Sequence, residues 1–237
     1  MPLKYADIAD EFISTVHKDA RAAHLAGVIE EGRGSYVTAG QYAARVGDLL
    51  GRVLRRHAPV NGISDWDVES LIPGVLGADH NMVIAVTNQV QANMNAVAGI
   101  YMRVQTPAFN GNRAYGIVTE LLNNPEFVNI ERSFYDQLTN FSMSVVDDAI
   151  RDNAAVQSAA GYSVHIKRTA EYGACAWCED VAGVYDFASA RETVGNDLWK
   201  RHENCRCTID YTTRGRTERV QNYRRPFSEE ILREVNV

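Results

Sequence analysis

All four cysteines of this 237-residue chain lie in one short stretch, between Cys175 and Cys207. The stretch begins with Cys175-Ala-Trp-Cys178 and, after a gap of 23 residues, ends with His202-Glu-Asn-Cys205-Arg-Cys207. Two side chains three residues apart in a tight turn converge on one point, which suits a tetrahedral divalent ion. The pattern therefore predicts a metal site built from two chelating turns at the ends of one loop.

The cluster offers five donors for the four positions of a tetrahedral ion, so one donor is spare. We expect structural zinc bound by Cys175, Cys178, His202 and Cys205, because His202 and Cys205 form the second turn with the simpler geometry. Cys207 is the alternative fourth ligand. If it is not a ligand, it is a small buried apolar residue at the start of a strand.

Three other interpretations of the cysteines remain open from the sequence. Disulfides are disfavoured because no signal peptide is recognisable after Met1, and reducing compartments rarely support bridges. A redox dithiol at Cys175 and Cys178 lacks a recognisable parallel βαβ context. Free buried thiols are the third interpretation. Structural zinc fits the ligand types and their spacing best.

The composition is that of an ordinary soluble globular protein, with 46% hydrophobic and 23% charged residues. No apolar run approaches the roughly 20 residues that cross a bilayer, so we expect no membrane partner. The net charge of −6 argues against a protein that coats nucleic acid with its whole surface.

The charge is unevenly distributed along the chain. Residues 200–225 contain eight basic and three acidic residues, a net charge of +5, which leaves −11 for the rest of the chain. The basic residues are Lys200, Arg201, Arg206, Arg214, Arg216, Arg219, Arg224 and Arg225. Such a segment is either a solvated tail or a surface that contacts phosphate or an acidic protein.

Residues 1–160 show the spacing of amphipathic helices. A first helix should end at Gly32 or Gly34, and its apolar stripe consists of Ile8, Phe12, Val16, Ala20 and Ala23. A second should run from an N-cap at Thr38 to Pro59. A third should begin at an N-cap at Asp79, with a face rich in Asn and Gln that meets polar neighbours or a partner. The clearest periodicity comes later, in Ile130, Phe134, Leu138, Phe141, Val145 and Ala149.

After residue 160 the pattern changes to alternation, which predicts short strands at 163–169, 183–187 and 206–212. The last strand should present Cys207, Ile209 and Tyr211 on one face. A module of about 60 residues has too small a core for comfortable stability, so we expect metal to hold it together.

The sequence thus predicts an α+β fold, mainly α, with an N-terminal helical domain and a small antiparallel β module held by zinc. The predicted boundaries are 1–160 for the helical domain, 161–213 for the zinc module and 214–237 for a basic tail with a short helix.

The C-terminal third resembles phage minor capsid proteins of the Mu F-like head-morphogenesis group, including its actinobacterial-phage branch. The resemblance runs from His165-Ile-Lys-Arg168 through Cys175-Ala-Trp-Cys178 and Gly183-Val-Tyr185. It closes on Arg201-His-Glu-Asn-Cys-Arg-Cys207, its most specific part, and on the strand Thr208-Ile-Asp-Tyr211. It covers about 50 residues strongly, and the upstream helices carry no motif of the group.

The resemblance implies a structural virion protein without catalytic activity, located inside the capsid at the portal vertex and in the host cytoplasm during assembly. The implied partners are the portal protein, the major capsid protein or both. Non-specific contact of the basic tail with packaged DNA is a further expectation.

Two other functions are weighed against this one. The first is a zinc-ribbon adaptor for nucleic acid or protein, which only the basic tail supports. The second is an HNH-type nuclease, which needs a catalytic histidine beside a metal ligand. His202 is the only histidine after His165 and is better used as a ligand, while Glu179 and Asp180 are expected to be solvated loop charges.

Overall fold

The computed structural model describes residues 5–57, 68–124, 126–202 and 205–216. Six helices precede the sheet: α1 (Tyr5–Lys18), α2 (Ala20–Glu30), α3 (Tyr36–His57), α4 (Val68–Ala98), α5 (Gly111–Asn123) and α6 (Glu131–Ala159), with a 3-10 turn at Phe127–Asn129. Among the described helices, none is both long and apolar enough to cross a membrane.

The C-terminal part contains three strands and short helices. In chain order these are β1 (Tyr162–Thr169), α7 (Ala176–Asp180), β2 (Gly183–Asp186), α8 (Phe187–Thr193), a 3-10 helix at Gly195–Trp199 and β3 (Thr208–Arg216). The strands form an antiparallel sheet in the order β2-β1-β3. The predicted mainly helical fold with a small antiparallel sheet is confirmed.

Helix α6 lies at the centre of the packing, in contact with α3, α4, α5 and the sheet. Five of the six predicted apolar residues, from Phe134 to Ala149, are buried, which confirms this periodicity within the helix, while Ile130 is the half-buried N-cap residue. Helix α3 approaches α6 closely at Gly47, where an added Cβ would lie 2.6 Å from Cα of Thr139. The absence of a side chain at this position therefore sets the distance between the two central helices.

The predicted first helix is divided in two at Asp19, which the apolar spacing did not reveal. The Asp19 carboxylate accepts a hydrogen bond from the backbone N–H of Ala22 at 2.9 Å and caps α2. Because α2 starts anew, Ala22 and Leu25 are buried, while Ala20 and Ala23 of the predicted stripe are exposed.

The N-cap predicted for the second helix, Thr38, is shifted by three residues. Helix α3 begins at Tyr36, and the hydroxyl of Ser35 accepts from the backbone N–H of Val37 at 3.2 Å. Thr38 takes the reciprocal role, since its hydroxyl oxygen accepts from the backbone N–H of Ser35 at 3.2 Å. Pro59, the predicted end of this helix, lies outside the described residues.

The N-cap predicted for the third helix, Asp79, is wrong. Helix α4 starts eleven residues earlier, at Val68, and Asp79 lies in its interior with no exposed surface. One carboxylate oxygen accepts from the hydroxyl of Ser142 on α6 at 2.7 Å, and the other has no hydrogen-bond partner among the described residues. The sequence pattern does not distinguish an aspartate that begins a helix from one that is buried between two helices.

The amide-rich face of α4 meets polar neighbours, and it connects the helices with the sheet. The side-chain oxygen of Gln91 accepts from the hydroxyls of Tyr36 on α3 and Tyr211 on β3, at 2.6 and 2.5 Å. Asn95 accepts from the amides of Gln91 and of Gln157 on α6, at 2.7 and 2.9 Å. These four elements therefore share one buried hydrogen-bond network.

The inner face of the sheet packs into the same apolar core as the helices. Ile166 on β1, and Ile209 and Tyr211 on β3, belong to this core and are at most 2% exposed. The predicted alternation of β3 agrees with this burial. The division at residue 160 stays a prediction, and the shared core favours cooperative unfolding of both parts.

Most of the predicted basic tail, 217–237, lies outside the described residues, as does the short helix predicted within it.

Burial raises the pKa of Asp79 to about 7, against the opposing hydrogen bond from Ser142. The folded state thus binds the proton of the Asp79 carboxyl group more tightly than the unfolded state. Protonation of Asp79 therefore stabilises the fold at low pH. This stabilisation is lost as the pH rises from about 4 to about 7, by on the order of 1.4 kcal/mol per pH unit.

We predict that Asp79→Asn removes this slope. The unfolding free energy of the variant relative to the wild type should increase as the pH rises from about 5 to about 8, measured by denaturant titration. The exposed Asp10→Asn is the matched control and should show a constant difference. A constant difference for Asp79→Asn as well would contradict a buried proton at this site.

Candidate metal centre

Two backbone turns and Cys207, the residue before β3, supply the five donors. Cys175 is the N-cap residue of α7 and Cys178 lies in its single turn, where the N–H of Glu179 bonds to the carbonyl of Cys175 at 3.1 Å. The second turn is closed by the N–H of Cys205, which donates to the carbonyl of His202 at 3.1 Å. The first turn that the spacing predicted is thus present, and the backbone hydrogen bond that the second predicted turn requires joins His202 and Cys205.

The five donor side chains converge in two overlapping groups. Nε2 of His202 lies 3.2 Å from Sγ of Cys175 and 2.9 Å from Sγ of Cys178. The other group contains Cys178, Cys205 and Cys207, and Sγ of Cys178 lies 3.9 Å from Sγ of Cys205. Within each group all donor atoms are within 4.8 Å of one another, so the cluster is compatible with a bound metal ion.

The cluster has a buried side and an exposed side. Cys178, Cys205 and Cys207 are 1–2% exposed, whereas Cys175 is exposed and His202 is half-buried. Cys178 belongs to both groups and lies between the two sides. Cys205 and Cys207 are equally buried, so burial does not separate the two candidates for the fourth ligand.

Arg168 on β1 is the largest fully buried side chain of the described residues, and it lies beside the thiols. Its guanidinium donates to the backbone carbonyls of Leu198 and Lys200 at 2.5 and 2.9 Å, and lies 3.9 Å from Sγ of Cys205. None of the described carboxylates forms an ion pair with it, and its Nε has no hydrogen-bond partner. A buried cation of this kind calls for nearby negative charge, which thiolates bound to a metal provide.

Arg201 is a second buried arginine at the cluster, and it connects the cluster with α6. Its side chain is 6% exposed and makes a bidentate ion pair with Asp147, at 2.6 and 2.8 Å. It also donates to the carbonyl of Cys207 at 2.8 Å and lies 3.9 Å from Sγ of Cys205. The segment that carries the second set of donors is thereby fixed to the central helix.

Trp177 covers part of the cluster. Its ring meets the ring of His202 edge-on with centroids 5.8 Å apart, and the guanidinium of Arg168 lies 5.3 Å from its centroid. The indole thus packs against a donor and against the buried cation at once.

The surroundings of the cluster shift the pKa values of two thiols in opposite directions. Burial, followed by the neighbouring Cys207 and Cys205, raises the pKa of the Cys178 thiol. Burial acts in the same direction on Cys207, but a backbone hydrogen bond from Glu171, the neighbouring thiols and the charge of Arg168 together lower its pKa. Metal binding must therefore displace a proton from Cys178, which makes metal affinity fall at low pH.

Several basic residues of the segment 200–225 contact acidic residues of the same chain. Arg201 is buried against Asp147, Lys200 pairs with Asp197 at 2.7 Å, and Arg206 lies 3.6 Å from Asp48. Arg214 is exposed. Arg219, Arg224 and Arg225 lie outside the described residues. Glu179 and Asp180 are exposed, as expected from the sequence, but they lie in the short helix α7 and not in a loop.

Two supporting residues on α6 were missed in the sequence: Asp147 and Asn140, whose amide donates to the carbonyl of His202 at 2.7 Å. The sequence could have revealed Asp147, because this charged residue lies between Val146 and Ala149 on a helix with a buried apolar stripe. A charge inside such a stripe indicates a buried ion pair, although the partner 54 residues away is not apparent.

Comparisons of this chain with protein families, with curated proteins and with solved structures found no match.

We predict that Cys178→Ser abolishes metal binding, because Cys178 belongs to both donor groups. Wild-type protein purified without added metal should contain about one metal ion per chain by elemental analysis, as tight structural sites do. Tyr172→Ser, at a fully exposed position in the same loop, is the matched control and should keep its metal. Equal metal content in wild type and Cys178→Ser would contradict a site at this cluster.

Proposed function

We propose that this chain is a phage minor capsid protein that acts structurally in head assembly at the portal vertex. The motif 201–207 and its spacing from Cys175-Ala-Trp-Cys178 support the assignment through their resemblance to the Mu F-like group. The observation that supports a structural role is that the buried Arg201–Asp147 pair attaches the donor cluster to α6. A metal centre fixed to a central helix in this way holds a fold together.

Zinc is the ion we propose for the cluster. Thiolate and imidazole donors favour zinc, and four-coordinate sites of this composition are structural. Cys175, Cys178 and His202 would supply three ligands, and either Cys205 or Cys207 the fourth. The buried guanidinium of Arg168, without a carboxylate partner among the described residues, fits the net negative charge of such a centre.

The proposed zinc has no catalytic role. It would connect α7 with the segment before β3 and supply folding free energy where the chain is irregular. The imidazole of His202 lies among the cysteine sulfurs, within 3.2 Å of two of them. This placement favours a ligand over the general base that an HNH-type nuclease requires.

We propose the portal protein, the major capsid protein or both as partners, inside the capsid of the virion and in the host cytoplasm during assembly. Contact with packaged DNA is proposed only for the basic tail. It would be non-specific and strongly dependent on salt, because it rests on phosphate neutralisation.

Co-expression with the portal protein and the major capsid protein of the same genome tests this proposal. We expect wild-type protein and the Tyr172→Ser control to co-purify with at least one of them. Cys178→Ser should lose the complex together with its metal, because α7 is no longer joined to the segment before β3.

A nuclease would give a different result. Metal-dependent cleavage of plasmid DNA that disappears in a folded His202→Ala variant, together with no binding to either capsid component, would contradict the structural role.

A further inference from the structure

A cleft of about 670 Å³ opens beside the metal centre, between α5, α6 and the segment 199–202. Its volume lies in the range of about 300–1,000 Å³ that is usual for ligand sites. Segment 199–202 ends in the donor His202, whose carbonyl is held by Asn140 of α6. One wall of the cleft is therefore positioned by the metal centre and the opposite walls by helices.

The described residues that line the cleft include four cations and no acid. Arg113 comes from α5, Arg151 from α6, and Lys200 and Arg201 from the segment beside the metal centre. Arg201 is fully engaged by Asp147, but the side chains of Arg113 and Arg151 are each 38% exposed and that of Lys200 is 64% exposed. Three cationic side chains are thus accessible to a ligand. Lys200 also pairs with the half-exposed Asp197 at 2.7 Å, but its ammonium group has three N–H donors and keeps two of them for a ligand.

Acidic residues behind the cleft hold the two arginines in place. Asp148 lies 3.1 Å from a guanidinium nitrogen of both Arg113 and Arg151, and Asp152 lies 3.3 Å from Nε of Arg151. These carboxylates are only 11% exposed, so a ligand meets the guanidiniums first. A guanidinium has five N–H donors, and these contacts leave donors on each arginine for another acceptor.

The remaining lining is apolar and amide-bearing, which favours a peptide over a nucleic acid. The partly buried Trp199 offers apolar contact above the buried Ile117 and Phe141, and Gln137 and Asn196 offer amides. A peptide can place a whole apolar side chain against Trp199 next to its carboxylates, whereas the sugar-phosphate backbone offers only its sugars. The overall charge of −6 also repels a polyanion more strongly than a peptide with few carboxylates.

We propose that this cleft docks an acidic peptide segment of a partner protein. Glutamate or aspartate carboxylates of the partner bind Arg113, Arg151 and Lys200, and an apolar side chain packs against Trp199. The proposal rests on the proposed structural role of the metal centre, because that centre fixes the wall that carries Trp199 and Lys200.

Fluorescence anisotropy with holo protein tests the docking site. The probes are fluorescein-labelled peptides in which Glu alternates with Leu or Phe, the same peptides with Gln for Glu, and a labelled single-stranded oligodeoxynucleotide. We expect the Glu peptides to bind best. Lys200→Glu should weaken them about tenfold, as expected for reversal of an interface charge. Arg113→Gln, on a helix away from the cysteines, should weaken them as well.

The control is Arg52→Glu, which makes the same change in charge at an exposed position of α3. It should leave peptide affinity within about twofold of wild type. Failure of the Glu peptides to bind, or equal binding by wild type, Lys200→Glu and Arg113→Gln, would overturn the docking site. If the oligodeoxynucleotide bound more tightly than the Glu peptides, and Lys200→Glu and Arg113→Gln weakened its binding, the cleft would be a nucleic-acid site and the peptide proposal would be wrong.

Metal content separates the two proposals. If the variants keep their metal and the peptide does not bind, only the docking site is wrong. If wild-type protein lacks metal altogether, the proposed metal centre fails, whatever the peptide does.

Discussion

The ion pair between Arg201 and Asp147 is the contact on which the C-terminal part of the structure depends. Both side chains are at most 6% exposed, and they join the segment before β3 to the middle of α6. Loss of one partner would leave a buried charge uncompensated, which typically costs about 3–5 kcal/mol. The same guanidinium holds the carbonyl of Cys207, so the position of the buried thiols follows from this pair.

Charge balance connects this pair with the metal centre. Arg201 has a carboxylate partner, but Arg168, equally buried, has backbone carbonyls, the ring of Trp177 and the sulfur of Cys205 instead. Neutral thiols would leave that cation without an anionic partner among the described residues. Thiolates bound to the proposed metal would supply the missing charge and make the two arginines and the donor cluster one unit.

The sequence was most informative where a pattern is local. The spacing of α6, the alternation of β3 and the two chelating turns each follow from neighbouring residues, and the structure contains all of them. The predictions failed where a distant partner determines the outcome. Asp79 resembles an N-cap in sequence but is buried against Ser142, and the division of the first helix at Asp19 is supported by an ion pair with Arg45.

The link between the two parts of the chain was also not predictable. Gln91 was recognised as part of an amide-rich face, but its bond to Tyr211 spans 120 residues. A module that was expected to depend mainly on metal shares its apolar core and its hydrogen-bond network with the helices. The proposed metal would thus complete a core that the helices and the sheet build together.

X-ray absorption at the zinc edge of protein purified without added metal tests the central claim most directly. We expect about one zinc per chain, with sulfur ligands at about 2.3 Å and a nitrogen ligand at about 2.0 Å. The sulfur count should be three, in agreement with one histidine and three of the four cysteines. A first shell of oxygen ligands, or protein that contains no zinc and four freely titratable thiols, would contradict the claim.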